Sequence, residues 1–150
     1  MENFILWKTD IAVLLARVVL GLLFLMQGYD KIFGIGLKKT EAGMEEAMQP
    51  THLPAGLVRF ITVVSSWIEL VCGLLLVAGW LIYPALMLLG LNLLMVCFGM
   101  SLRQPLWDMR YVWPRLALLL LLLLLPESWD RISVDHILHT YGNAPAITAG

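Results

Sequence analysis

Two ionisable residues, Arg17 and Glu69, lie inside long apolar stretches of the sequence. A charge at bilayer depth costs at least ~2.5 kcal/mol, so each residue requires a partner or a function. With a rise of about 1.5 Å per residue, Arg17 lies roughly 9 Å from the start of the first predicted helix, and Glu69 roughly 12 Å from the end of the second. Antiparallel helices bring these depths to one level, which predicts a buried Arg17–Glu69 ion pair. Such a pair either only fixes the register of two helices or serves a ligand or a proton.

A second group of polar residues is predicted near the opposite membrane surface. The group consists of Gln27, Tyr29 and Lys31 at the end of the first helix and Tyr111 and Arg115 at the start of the fourth. Hydrogen-bonding side chains beside apolar helix faces are the combination found at small-molecule sites. Arg115 either extends to the lipid headgroups or turns inward to the first helix.

Glycines indicate where the predicted helices pack closely. Gly21 and Gly28 share one stripe of the first helix with Arg17, and Gly73 lies on the polar face that carries Glu69. Small residues let helix backbones approach each other in a membrane. We therefore expect the first two helices to pack through these three glycines.

These residues must be positioned by membrane-spanning helices, because the composition is not that of a soluble domain. Of the 150 residues, 60% are hydrophobic and 14% charged, against about 25% charged in soluble domains. The pattern predicts an all-α integral membrane fold: one domain over 1–150, forming an antiparallel bundle of four transmembrane helices. The helices are predicted at about 11–33, 57–77, 81–98 and 106–125, followed by a polar tail over 126–150. Between the first two, the stretch from Thr40 to Met48 forms either a short interfacial helix or a solvated loop.

Charge and histidine placement exclude several function classes. A net charge of −1 gives no indication of nucleic-acid binding. His52, His136 and His139 lie outside the predicted helices, so the bundle cannot hold a bis-histidine haem. Cys72 and Cys97 are single cysteines without a metal or redox motif. We therefore expect neither a metal nor a covalently bound cofactor.

The ends of the chain and its basic residues predict an orientation. The first residues lack the features of a cleaved secretory signal, so the first helix is expected to remain as an anchor. Most lysines and arginines fall at the side of the two longer loops. The positive-inside rule then places those loops in the cytoplasm and both termini on the outer, periplasmic side.

The order of these features resembles the DoxX family of small four-helix membrane proteins. The matching stretches are 17–34 (RVVLGLLFLMQGYDKIFG), 67–80 (WIELVCGLLLVAGW) and 129–138 (WDRISVDHIL). The family pattern has an Arg early in helix one, then Gly, Phe, Gly and Lys. It continues with a Glu followed by glycines in helix two, and ends on Ser-x-Asp, here Ser133 and Asp135. The resemblance covers residues 14–138.

The resemblance implies a membrane subunit linked to redox chemistry or to quinone rather than a stand-alone enzyme. Members resemble the DoxD subunit of thiosulfate:quinone oxidoreductase, which implies a bacterial inner (cytoplasmic) membrane. On this interpretation Arg17 and Glu69 form the buried polar site, and quinone is the cofactor expected. Its head group would contact the second polar group: Gln27, Tyr29, Lys31, Tyr111 and Arg115. The expected partners are the lipid bilayer and either another membrane protein or a second copy of the chain.

Two other functions stay open at this point. The first is a non-catalytic accessory or structural subunit that packs in a larger respiratory, photosynthetic or transport assembly. The second is a small carrier or channel, which would need a homodimer to make room for a water-filled path. Disulfide exchange is not expected, because the chain lacks the paired cysteines of related branches.

Overall fold

The structure is a computed structural model that describes residues 2–51, 53–103, 112–126 and 129–142. All regular structure in these ranges is helical. The helices are α1 (Glu2–Tyr29), α2 (Leu37–Met48), α3 (Ala55–Ala78), α4 (Ile82–Arg103), α5 (Trp113–Leu124) and α6 (Val134–Gly142). A π-helical turn over Asp30–Gly34 (the π-turn) continues α1, and a 3₁₀ turn over Gln49–Thr51 follows α2.

Three of the helices are long and apolar enough to cross a membrane. They are α1 with its π-turn (Trp7–Gly34), α3 (Ala55–Ala78) and α4 (Ile82–Arg103). α5 is apolar but has 12 residues, about 18 Å of helix, against a hydrocarbon core of ~30 Å. The predicted start of the fourth helix, 106–111, lies outside the described residues. The structure therefore shows three candidate spans and a shorter apolar helix.

The helix bounds differ from the predicted ones mainly at their ends. α1 begins at Glu2 rather than near residue 11, because nothing in residues 2–10 breaks a helix. α4 extends to Arg103, five residues beyond its predicted end. The stretch after the first span forms a helix, α2, rather than a loop. The tail also contains a helix, α6, whose Ile137 and Leu138 are exposed, so it is not polar throughout.

α1 and α3 pack so closely that their backbones touch. A Cβ atom at Gly28 would lie 2.5 Å from the backbone nitrogen of Leu70, and one at Gly21 would lie 3.0 Å from the carbonyl oxygen of Gly73. A Cβ atom at Gly73 would overlap the backbone of Leu25. The three predicted glycines therefore all lie at the α1–α3 contact, where a larger residue would separate the helices.

The other helices complete a core around this pair. α4 packs against α3, and α5 packs against both α1 and α4. The side chains at the centre are almost all aliphatic or aromatic: Leu20, Phe24, Leu76, Leu86, Leu89 and Leu119. α2 packs along α3 at the end of the molecule where α1 finishes. This arrangement places any polar side chain on an inner helix face in a nearly water-free environment.

A tight turn joins α3 to α4 and receives the C-terminal segment. Gly79 has φ of +74°, and the N–H of Trp80 donates to the carbonyl of Leu75 at 3.0 Å. This is the usual glycine-ended helix terminus. The N–H of Asp135 donates to the carbonyl of Gly79 at 3.1 Å, so the segment before α6 folds back onto the turn.

Candidate functional site

A buried carboxylate, Glu69, is the centre of the first polar cluster. The ammonium of Lys31 donates to both carboxylate oxygens, at 2.9 Å to Oε1 and 2.6 Å to Oε2. The amide Nδ2 of Asn92 on α4 lies 3.4 Å from Oε1, a long hydrogen bond. Glu69 and Asn92 are each 2% exposed, whereas the Lys31 side chain is 21% exposed. We refer to Lys31, Glu69 and Asn92 as the carboxylate cluster; it opens outward only at Lys31.

The π-turn and α2 position Lys31. A π-helical turn has a wider hydrogen-bonding ring than an α-helix and shifts the direction of the side chains that follow. Here the N–H of Ile35 donates to the carbonyl of Asp30 at 2.7 Å. The Thr40 hydroxyl at the start of α2 donates to the backbone carbonyl of Lys31 at 3.0 Å. Lys31 is thus fixed at its backbone while its side chain reaches Glu69 on α3.

Glu69 projects from a face of α3 that is buried and polar. The hydroxyls of Thr62 and Ser66 lie on this face at helical spacing with Glu69, but both donate to backbone carbonyls four residues earlier in α3, at 2.8 and 2.7 Å. Hydroxyls satisfied in this way need no partner from another helix. Glu69 is the group on this face that bonds across to α1 and α4.

Two buried acceptor atoms near this level lack hydrogen-bond partners. They are Oδ1 of Asn92 and Oε1 of Gln27, which lies one helical turn before Lys31. Buried polar atoms are nearly always hydrogen-bonded, so each exception calls for a physical reason. The cluster therefore has unused capacity to accept hydrogen bonds.

Arg115 at the start of α5 turns inward. Its guanidinium carbon lies 5.9 Å from the ring centroid of Phe24, a buried core residue on α1. A cation over an aromatic face is stabilised by the ring quadrupole. Of the two predicted alternatives the structure shows the inward one, and this contact is with an aromatic ring. Phe24, Gly28 and Lys31 are successive residues of one helical face.

A second buried ion pair, at the other end of α1, involves Arg17. Arg17 is 1% exposed, and its Nε lies 3.2 Å from Oδ2 of Asp130. Its Nη1 donates to the carbonyl of Leu76 at 3.0 Å and its Nη2 to the carbonyl of Ile132 at 2.7 Å. The guanidinium also lies against the α-carbon of Gly79. Arg17 therefore joins α1, the end of α3 and the C-terminal segment.

The C-terminal segment is built around three short polar side chains. The carboxylate of Asp135 accepts the N–H groups of Leu81 and Ile82 at 3.0 and 2.9 Å, so it caps α4 from a distant part of the chain. Ser133 caps α6 by accepting the N–H of His136 at 3.1 Å. Burial raises the pKa of Asp130 above its usual range, more than the adjacent positive charge of Arg17 lowers it.

The predicted ion pair between Arg17 and Glu69 is not formed within the described residues, because each has another partner. The contacts of Gly28 with Leu70 and of Gly21 with Gly73 set the register of α1 against α3. In that register Arg17 lies beside the last turn of α3, and Glu69 lies beside the end of α1. The prediction was wrong because α1 starts earlier than expected, so its first turns extend past the end of α3.

The other residues of the predicted second polar group do not all lie together in the structure. Lys31 joins Glu69, and Gln27 lies one turn away from Lys31. Tyr29 faces outward and is exposed, with its ring centroid 5.2 Å from that of Phe33. Tyr111 lies outside the described residues.

Sequence reasoning missed Asp130 as the partner of Arg17 and Asn92 as a partner of Glu69. Asp130 lies in a tail that hydropathy assigns to water, and nothing local in the sequence indicates that the tail folds back. A polar residue midway along an apolar helix was the signal for Asn92. In the part of the chain that the structure describes, no group of three His, Cys, Asp or Glu residues is placed to hold a metal ion.

Comparison with known proteins gives one match. The family model described as DoxX matches residues 12–101, which is 90 of the 150 residues. Neither the curated proteins nor the solved structures gave a significant match. The matched region contains Arg17 and the whole carboxylate cluster, whereas Asp130 and Asp135 follow it.

Proposed function

The chain belongs to the DoxX family of membrane proteins, and on this premise we propose that it is a subunit of a redox-linked membrane complex that binds a quinone-type molecule. In this proposal α5 belongs to a fourth span, and the carboxylate cluster receives the polar head group. The electrons of the quinone–hydroquinone couple are exchanged with a partner subunit, because the expected role is that of a subunit and not of a stand-alone enzyme.

One observation carries the proposal: the carboxylate cluster is buried but not saturated. Glu69 is held by Lys31 and Asn92 in a nearly water-free core, yet Oδ1 of Asn92 accepts nothing. If the Lys31–Glu69 ion pair served only to align α1 with α3, the unpaired Oδ1 of Asn92 beside it would have no purpose. The alignment is already enforced by the backbone contact at Gly28 and Gly73. Spare buried hydrogen-bonding capacity supports a ligand site.

The surroundings of the cluster suit a flat polar head with an apolar tail. Polar side chains come from several elements: Gln27 from α1, Lys31 from the π-turn, Glu69 from α3 and Asn92 from α4. Leu91 and Leu94 on α4 have exposed apolar side chains, whereas Asn92 between them is buried. A quinone head needs a few placed hydrogen-bonding groups, while its tail needs contact with lipid or apolar side chains.

The test is binding of a decyl-substituted benzoquinone to the full chain in lipid nanodiscs, by titration calorimetry. Glu69→Gln keeps the side-chain shape but removes the charge, and we expect at least ~10-fold weaker binding, equivalent to about 1.4 kcal/mol. Glu45→Gln is the matched control. Glu45 pairs with Arg59 at 2.7 Å outside the cluster, in a largely exposed ion pair, and its loss should leave binding unchanged.

Each outcome decides one point. Unchanged binding in Glu69→Gln would remove Glu69 from the site, and a native chain that binds neither this quinone nor its reduced form, the hydroquinone, would refute the proposal. Thermal unfolding of both variants in the same nanodiscs shows whether a loss of binding reflects a loss of fold.

A second candidate is a non-catalytic accessory subunit of a larger assembly. The outer face of α4 favours it, because Leu91, Leu94 and Phe98 are each about two-thirds exposed and suit a protein partner as well as lipid. Native mass spectrometry of complexes extracted from membranes distinguishes the two. The accessory role predicts a large assembly in which the native chain binds no quinone.

A further inference from the structure

We propose that the carboxylate cluster selects a ligand by its hydrogen-bond donors, and so takes the hydroquinone in preference to the quinone. This inference rests on the proposed function, because it specifies the form of the same quinone-type ligand. The recognised class is an apolar molecule that carries a phenolic hydroxyl.

The donors of the cluster are largely committed to Glu69. An ionised carboxylate only accepts hydrogen bonds. The ammonium of Lys31 donates to its two oxygens, at 2.9 and 2.6 Å. The amide nitrogen of Asn92 faces Oε1 at 3.4 Å. The remaining donor capacity of the cluster lies mainly at Lys31, its partly exposed member.

Glu69 also fixes the orientation of the Asn92 amide. If the amide were turned round, its oxygen would face a carboxylate oxygen, and two acceptors repel each other. The nitrogen must therefore face Glu69, and Oδ1 must face away from it. Asn92 is 2% exposed and Oδ1 has no hydrogen-bond partner, so the orphan atom is an acceptor by necessity.

A second acceptor without a partner lies close along α1. Oε1 of Gln27 is buried without a hydrogen bond, and Gln27 lies near the end of α1, four positions before Lys31. An added hydroxyl can donate to an acceptor of this kind, whereas the carbonyl of a quinone cannot. A quinone oxygen beside Oδ1 of Asn92 would add a repulsion between acceptors.

Sites built to hydrogen-bond a substrate hydroxyl reject the analogue that lacks it by much more than sites that only fit its shape. We therefore expect the hydroquinone to bind at least ~10-fold more tightly than the quinone. The same preference is expected over the dimethyl ether of the hydroquinone, which keeps both oxygens and loses both donors.

The experiment compares three ligands that share one decyl tail: the hydroquinone, the quinone and the dimethyl ether. Each is titrated anaerobically into the full chain in nanodiscs, with ascorbate present for the hydroquinone. The wild-type affinity ratios test the inference without any variant. Asn92→Leu then tests its assignment: the preference for the hydroquinone over the ether should decrease several-fold, and quinone affinity should not fall. Glu45→Gln should keep the wild-type ratios.

The outcomes separate this inference from the proposed function. Equal or tighter binding of the quinone, with dependence on Glu69, would leave the proposed function standing and overturn the donor preference. It would mean that a donor of the cluster, such as a remaining N–H of Lys31, recognises a ligand carbonyl. A hydroquinone preference of wild-type size in Asn92→Leu, and in Asn92→Ala as a second variant, would overturn the role of Asn92. Absence of binding by all three ligands would refute both proposals.

Discussion

Replacing Arg17 with Met should destabilise the protein strongly and release its C-terminal segment. Arg17 is almost fully buried, and its guanidinium contacts a carboxylate and two backbone carbonyls, at 3.2, 3.0 and 2.7 Å. These three contacts share one side chain, so their energies are not additive. Removing one partner of a buried ion pair costs about 3–5 kcal/mol, because the other charge stays buried without compensation. We expect a loss of that size for Arg17→Met.

The double variant Arg17→Met with Asp130→Asn separates the two parts of this loss. Asparagine removes the uncompensated charge. The loss in free energy of unfolding should therefore fall to about 1–3 kcal/mol, the cost of acceptors left without a partner. Lys39→Met is the matched control. Lys39 is exposed on α2, and its replacement should change the free energy of unfolding by less than about 0.5 kcal/mol.

The assay is unfolding of the purified protein in mild detergent by titration with sodium dodecyl sulfate, followed by circular dichroism. Limited proteolysis reports separately on the segment after Pro126, which Arg17 holds through Asp130 and Ile132. The reasoning is refuted if Arg17→Met lies within about 1 kcal/mol of wild type. It is also refuted if the double variant is no more stable than the single one, because the orphan charge would then not be the main cost.

Three further outcomes are expected. Gly28→Ala should destabilise the protein by about 1–3 kcal/mol, because its Cβ would lie 2.5 Å from the Leu70 backbone nitrogen, whereas Gly56→Ala, with open space around it, should be neutral or stabilising in the same unfolding assay. Asp135→Ala should cost about 0.5–2 kcal/mol, measured by thermal unfolding, since two N–H groups at the start of α4 lose their acceptor. The raised pKa of Asp130 means that the folded state binds more protons than the unfolded state above the ordinary value of 3.8. Stability should therefore decrease as pH rises through the folded pKa, and Asp130→Asn should flatten this part of the pH profile; an unchanged profile would contradict the assignment.

The sequence determined which segments are helices of a membrane protein. In lipid every backbone polar group must be hydrogen-bonded within the protein, and a single apolar stretch can achieve this from its own residues only as a helix. That constraint is local, which is why the predicted helices at 57–77 and 81–98 agree with α3 and α4 to within a few residues at most ends. The sequence also predicted that the glycines at positions 21, 28 and 73 lie at a helix contact, because close backbone approach requires the absence of a side chain.

The sequence also indicated that Arg17 and Glu69 are buried, but not which residues they contact. A helix rises about 1.5 Å per residue, so an error of nine residues at the start of α1 displaces the predicted level by roughly 13 Å. Arg17 and Lys31 are separated by 14 positions, about 21 Å along α1. The predicted partner of Glu69 therefore depends on the predicted helix ends, and an error in those ends leads to the wrong partner.

The sequence indicated that Arg17 and Glu69 are buried and need partners. Only the tertiary structure showed that these partners are Asp130 and Lys31. The α1–α3 register follows from the glycine contacts at Leu70 and Leu25, which involve both helices at once. The partner of Arg17 comes from a segment more than a hundred residues later in the chain, and no local pattern encodes that return. Burial could be predicted because it depends on each segment's own hydropathy, whereas pairing could not because it depends on how separate segments pack.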